Sequence, residues 1–210
     1  MNSEGLEIKP IPKEAPHLGE QPDGTFRVAL DRETHTYSNG LPSVTQILQA
    51  AGIIDTQWFT DEARDRGTAV HAACEYYDQG ELDESSVDPA IAGYLDAYKS
   101  WQALNGRDCT WIERSVSDQR KLYAGTPDRI LTTQPRAVVD IKTGQPQDWH
   151  RLQLAAYVNC LHDPFSYQRI GLYLRSDGEF SVVKYELKNY TNDLAVFMAA
   201  VKIYYWKKGN

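Results

Sequence analysis

The sequence is poor in cysteine, has no long apolar run and carries no excess of basic charge, and each shortage removes a class of protein. Its three cysteines, Cys74, Cys109 and Cys160, are odd in number and form no CxxC pair. A disulfide framework and a cysteine-rich zinc site are thereby disfavoured, and three reduced thiols in a cytosolic protein are expected. No stretch approaches the roughly 20 apolar residues that span a bilayer. The first residues, MNSEGLEIKPIPKEAP, hold no apolar signal core. The expectation is a soluble protein of the cytoplasm with no membrane partner. Lys and Arg number 22 against 29 Asp and Glu, a net charge of −7. Proteins that coat nucleic acid non-specifically are usually basic, so a polyanionic partner would have to meet a local basic groove. No GxxxxGK[ST] run is present, which removes a P-loop motor and its nucleotide cofactor.

What is there suffices for one packed core: 210 residues, 41% of them hydrophobic. Residues 1–24 are polar and contain Pro10, Pro12, Pro16 and Pro22, which predicts an extended or disordered arm. Residues 25–210 read as a single domain, with a helical part over about 43–105, a sheet core over about 109–188 and a C-terminal helix over about 190–207. FRVALDRETHTYSNG reads as a hairpin with Asn39-Gly40 as its turn signal. Ser43 caps a short helix ended by Gly52, and a longer helix runs from about Gln57 to Asp78. An amphipathic helix follows over about 90–104. CTWIERSVSD reads as a strand and KLYAGTPDRILT as a second, irregular around Gly125 and Pro127, where a bulge or strand end is expected. RAVVDIK has the near-continuous apolar character of a central strand. A helix over 148–162, a strand pair joined through Asp177-Gly178 and a helix with Leu194, Phe197, Val201 and Tyr204 on one stripe complete the chain. The fold class is α/β, bordering on α+β: a central mixed sheet flanked by helices, with a helical segment before it.

The chemistry concentrates between Asp128 and Lys142. Residues two apart on a strand share a face, so Asp140 and Lys142 project together from an otherwise apolar strand. Burying two ionisable groups there is costly unless they are paired or bind a metal. Asp128 approaches Asp140 if the two strands form a hairpin, and a divalent cation would relieve the repulsion between the carboxylates. Oxygen ligands suit Mg²⁺ or Mn²⁺. A plain Asp140–Lys142 salt bridge on an edge strand would show the same local pattern. On the long helix, His71 and Glu75 are four apart and share a face, as do His150, Gln153 and Tyr157 on the later helix. Each has a structural alternative: a hydrogen-bonded helix histidine, a solvated glutamate, a core tyrosine.

Taken together, Pro127-Asp128, Asp140-Ile141-Lys142-Thr143-Gly144 and Gln153-Leu-Ala-Ala-Tyr157 resemble the motifs of the PD-(D/E)xK nuclease superfamily, in particular its RecB-like exonuclease branch. Arg66-Gly67-Thr68-Ala-Val-His71 is similar to the branch's helical first motif. His35-x-Tyr37 with Leu41-Pro-Ser-Val-Thr45 is similar to the leader of its phage-type and mitochondrial-type members. The likeness runs from about residue 35 to about 200. It implies a restriction-endonuclease-like core, with Asp128, Asp140, the Ile141 carbonyl and His71 as metal ligands and Lys142 as the catalytic lysine. Gln153 and Tyr157 would support that lysine or contact DNA. The family often has a glutamate where Glu113 stands, which gives it a supporting or second-metal role or leaves it an ordinary strand residue. Glu75 stands equally between solvent and a supporting role. Some relatives hold an iron–sulfur cluster on four cysteines; with three scattered cysteines, no cluster is expected here.

The implied activity is Mg²⁺- or Mn²⁺-dependent hydrolysis of DNA phosphodiesters by an exonuclease of recombination, repair or phage DNA processing. It would act in a cell's cytoplasm or, for a phage protein, in that of the host. Substrates would be single- or double-stranded DNA, and partners a recombination or single-strand-binding protein. The basic groove would draw on Arg64, Arg66, Arg114, Arg120, Lys121, Arg129 and Arg151, foremost Arg66 and Arg129, which flank the motifs. Two rivals stand beside this: a catalytically silent nucleic-acid-binding or recombination-accessory module, and an endonuclease on the same core.

Overall fold

The computed structural model describes residues 26–27, 30–31, 36–37, 40–55, 60–105, 111–118, 120 and 122–209; of residues 26, 27, 30, 31 and 36 it describes the backbone alone. The expected N-terminal arm, and the expectations placed on His35, Asn39, Gln57, Cys109 and Lys121, lie outside the described residues. The elements in chain order are β1 (Phe26–Arg27), β2 (Leu30–Asp31), β3 (Thr36–Tyr37), α1 (Val44–Ala50), α2 (Asp61–Gln79), α3 (Pro89–Asn105), β4 (Trp111–Ile112), β5 (Val116–Ser117), β6 (Ala124–Gly125), β7 (Arg129–Leu131), β8 (Ala137–Lys142), α4 (Asp148–Asn159), β9 (Gln168–Leu174), β10 (Phe180–Tyr185) and α5 (Tyr190–Lys208).

The main sheet has the order β10-β9-β8-β7-β4. It is mixed: β8 and β9 run parallel and the other pairs antiparallel. A parallel pair needs a crossover, and α4 supplies it. Alternation along β8 divides the core. Val139 and Ile141 pack with Val70, Cys74, Leu95 and Tyr98 of α2 and α3. Val138 packs on the opposite side with Leu154 and Val158 of α4, Phe197 and Val201 of α5, and Ile47 of α1. With helices on both faces, the apolar residues of β8 are buried whichever way they point. The fold is therefore mixed α/β, as expected. Among the described residues, no helix is long and apolar enough to cross a membrane.

Helix ends follow local chemistry. Ser43 caps α1 through a reciprocal pair: its Oγ accepts from Gln46 N–H at 3.0 Å, and Gln46 Oε1 accepts from Ser43 N–H at 2.9 Å. Gly52, at φ +75°, follows the helix as expected. The long helix is described from Asp61 onward. Thr60 has extended backbone and its Oγ1 accepts from Ala63 N–H at 3.2 Å, so the helix begins at Asp61.

Two further expectations are corrected. Among the described residues, the N-terminal hairpin pairs β2 with β3, and β1 pairs instead with β5. Gly40, at φ +71°, donates its N–H to the Tyr37 carbonyl after β3, so this turn leads toward α1 and does not join the two strands. The long strand expected over 109–118 is also divided, and the one over 121–132 ends and restarts around Pro127, where a bulge or strand end was expected. β4 and β7 belong to the main sheet, whereas β5 and β6 belong with β1 to a second sheet. One break is at Glu113, whose φ of +47° turns the chain through the left-handed region. The other spans Thr126-Pro127-Asp128, where proline has no N–H to give a ladder. Both strands thus leave the main sheet at the same level, and the fork they make is where the ionisable residues gather.

Candidate metal centre and its cleft

Register brings the acidic residues together. Ile112 of β4 stands opposite Arg129 of β7, and one step further Glu113 N–H donates to the Asp128 carbonyl at 2.9 Å. Arg129 in turn stands opposite Val139 of β8; continuing that register by one residue sets Asp128 opposite Asp140. Glu113, Asp128 and Asp140 therefore form one row across three neighbouring strands at the fork. The Asp128 carboxylate is anchored through Oδ2, which accepts from the Ile141 N–H. From α2, His71 places Nδ1 3.0 Å from Asp128 Oδ1. His71, Glu113 and Asp128 each present a ligand atom, all within 4.8 Å of one another. Lys142 Nζ lies 2.6 Å from Asp140 Oδ2 and 5.3 Å from the Trp149 ring centroid.

The electrostatics is that of anions held close together out of water. Burial and then the Asp128 charge push Glu113 up to about 8. Burial raises Asp140 above the usual carboxylate range, although Lys142 opposes it. Burial would raise Asp128 too, but the His71 charge and hydrogen bond, Lys142 and the Ile141 N–H together outweigh it and hold that carboxyl at about 2. Burial would lower His71; the Asp128 carboxylate outweighs it and pushes the imidazole up to about 9. Near neutral pH the cluster therefore carries protons on His71 and Glu113.

These residues fit a divalent cation. Glu113 Oε1 is buried with no hydrogen-bond partner, and Arg129 NH1, 3.6 Å away, acts on it only as a charge. Asp140 Oδ2 is instead held by Lys142 Nζ at 2.6 Å and is not one of the three residues whose ligand atoms converge. A buried carboxylate oxygen left without a donor, beside an imidazole and the Asp128 carboxylate, makes the start of a donor set for a hard or borderline divalent ion. The imidazole favours Mn²⁺ over Mg²⁺ within that class. Because His71 and Glu113 must lose their protons to ligate, cation affinity should rise as pH climbs from about 7 to about 9 and level off above. Titration calorimetry with Mn²⁺ at several pH values checks this; an affinity flat above pH ~6, as unperturbed carboxylates would give, contradicts it.

Beside the centre lies a cleft of about 610 Å³, lined by Arg64, Arg66, His71, Ile141, Lys142, Trp149 and His150, among others. His150 Nδ1 accepts from Gln147 N–H at 3.2 Å and lies 2.8 Å from the Tyr173 hydroxyl. Burial, and then Lys142, hold it down at about 3, so it is a neutral wall of the cleft. Trp149, which the sequence reading passed over, presents its ring to Lys142. Its signal was its place at the start of α4, directly after the Thr143–Pro146 turn.

Gln153 and Tyr157 share a face of α4, and Gln153 Nε2 donates to the Tyr157 hydroxyl at 2.8 Å. Both are largely buried, and the Tyr157 phenol is raised by burial and then by the Asp140 charge, which puts Tyr157 in electrostatic reach of Asp140. Glu75 lies in electrostatic reach of Glu113 and accepts from Gln79 Nε2 at 3.3 Å, but is not one of the three clustered ligands. Of the basic residues, Arg64 and Arg66 line the cleft. Arg129 does not: its side chain is 0% exposed, paired with Asp78 and donating to the Tyr98 hydroxyl at 3.0 Å and the Asp128 carbonyl at 2.7 Å. The expectation that it meets phosphate is corrected, because a guanidinium enclosed by its own ion pair presents no donor to solvent. Arg114 is likewise buried, its guanidinium 3.5 Å from the Trp111 ring centroid. Arg120 pairs with Asp118, and Arg151 with Asp193.

No family model matches the chain, and a search of curated proteins gives no match.

Proposed function

We propose that the protein is a metal-dependent DNA nuclease with a restriction-endonuclease-like core, acting on DNA ends as an exonuclease. The observation that carries this is the cross-strand row Glu113–Asp128–Asp140, closed by His71 and Lys142 and opening beside a cleft with two arginines. Asp128, Asp140, Glu113 and His71 would hold the cation, with the Ile141 carbonyl at the same strand position as a further oxygen. A divalent cation bound there supplies Lewis acidity toward a phosphoryl oxygen and makes water a better nucleophile at neutral pH. Lys142 offsets the charge that develops on the phosphate as the bond breaks. Asp140, 2.6 Å from Lys142, holds that ammonium in place. Arg64 and Arg66 position the phosphates on either side of the scissile bond. A silent binding module would have no use for an imidazole and two carboxylates converging beside a lysine-paired third, and this favours an active enzyme.

Incubation with end-labelled linear single- and double-stranded DNA and with closed circles, with Mn²⁺ or with chelator, tests this reading. Stepwise shortening of linear DNA only when metal is present is expected. Cleavage of circles would move the assignment to an endonuclease, and intact DNA throughout would overturn it. Arg66→Ala should weaken DNA binding about fivefold or more at low salt and reduce the salt slope by about one. Anisotropy titrations over a salt series measure both, and an unchanged slope removes Arg66 from the phosphate path.

A further inference from the structure

We propose that a second groove, beside the carboxylate row, is a nucleoside subsite that takes an unpaired base, so that the preferred substrate is a single strand or a frayed end. This rests on the nuclease reading above and names its substrate class. The groove has a volume of about 450 Å³, within the range of small-ligand clefts. Tyr37, Val44 and Tyr157 form its buried floor; Ser43, Thr45, Gln46 and Gln49 stand at its rim. Three of these residues belong to the leader stretch Leu41–Thr45, and with Tyr37 they form a motif that the metal centre leaves without a role.

Two properties point to a base and sugar. None of the described lining residues is formally charged, so a phosphate gains no more here than in water, whereas the first cleft offers Arg64, Arg66 and Lys142. The lining is instead phenols, hydroxyls and amides, which match base edges and sugar hydroxyls, over a floor of buried tyrosines. The groups are pre-arranged. The Tyr37 hydroxyl, Thr126 Oγ1 and Ser115 Oγ form a chain with steps of 3.1 and 2.7 Å. Gln46 is fixed through Oε1 by the helix cap, which leaves its amide N–H groups to donate. Gly125 admits the Tyr157 ring: a Cβ there would lie 2.4 Å from Tyr157 Cε1.

Position completes the case. Thr126 lines the groove two residues before Asp128, and Tyr157 lies in electrostatic reach of Asp140 and Asp128. In the proposal, a strand with its scissile phosphate at the metal centre sets its neighbouring nucleoside in this groove. A base inside a duplex is stacked and paired and cannot enter without being drawn out, so an unpaired strand meets the site at lower cost.

The test uses the full chain with Mn²⁺ and end-labelled oligonucleotides carrying one abasic residue at successive positions near the end. In the wild type, an abasic residue at the position flanking the scissile bond should raise KM about tenfold. Single strands should be cleaved with lower KM than blunt duplexes. Gln49→Trp, at an exposed helical position, should fill the groove, raise KM for the intact strand and erase its advantage over the abasic one. Equal KM for intact and abasic strands in the wild type, equal KM for blunt duplex and single strand, or an advantage that survives in Gln49→Trp would each overturn the subsite and leave the nuclease reading standing. Failure to cleave any DNA would overturn both.

Discussion

Asp140→Asn and Lys142→Ala should each reduce DNA cleavage by about a hundredfold to a thousandfold or more, while both variants still unfold cooperatively. The two effects have different origins. Asp140 is buried, and its charge is offset within the fold chiefly by Lys142, 2.6 Å away. An amide of the same shape removes the anion and with it part of the cation's hold. It also removes a burial cost while taking the partner from Lys142, which is 19% exposed and can reach water, so the change in stability should be small. Lys142→Ala leaves the carboxylates intact and should leave cation affinity equal or higher, because a positive charge near the cation is gone. Its loss falls on turnover. Steady-state cleavage of end-labelled DNA and a parallel Mn²⁺ titration separate the two. Full activity in either variant would remove that residue from the centre.

Arg129→Ala should destabilise the fold by about 3–5 kcal/mol, the usual cost of leaving one member of a buried ion pair alone. Arg129 is among the largest fully buried side chains, and it ties α2, through Asp78, to α3, through Tyr98, and to the strand that carries Asp128. Without it the Asp78 carboxylate, 4% exposed, loses its counter-ion. Arg129→Lys should recover little, since one ammonium cannot supply a guanidinium's separate donors. Denaturant unfolding measures the loss. A variant as stable as wild type but weaker for DNA would restore the phosphate-contacting role that its burial argues against.

The contrast between these two predictions shows what the sequence made legible. Asp140 and Lys142 were readable because strand periodicity is short-range: two residues apart on an apolar strand means one face and one cost of burial. The helix cap at Ser43 and the central place of β8 were readable for the same local reason. Arg129 was not, because whether an arginine beside a motif turns outward or inward depends on Asp78 and Tyr98, 51 and 31 residues away. Glu113 was half legible. Its strand was visible, but the break that sets it level with Asp128 comes from a left-handed backbone that no glycine advertised. The division of two strands between two sheets was hidden as well, since each half keeps strand-like residues while its partner changes. The groove along Tyr37, Ser43 and Thr126 joins three separate stretches and had no local signal beyond the leader motif itself.

The acidic row rests on there being a cation for its carboxylates to share. The most direct measurement is the free Mn²⁺ signal by electron paramagnetic resonance during titration of the metal into protein at pH 8. Wild type should deplete the signal saturably, and Asp128→Asn, which removes the carboxylate shared by His71 and the Ile141 N–H, should leave it close to that of buffer. A wild-type signal indistinguishable from buffer, or equal depletion by Asp128→Asn, would contradict the account.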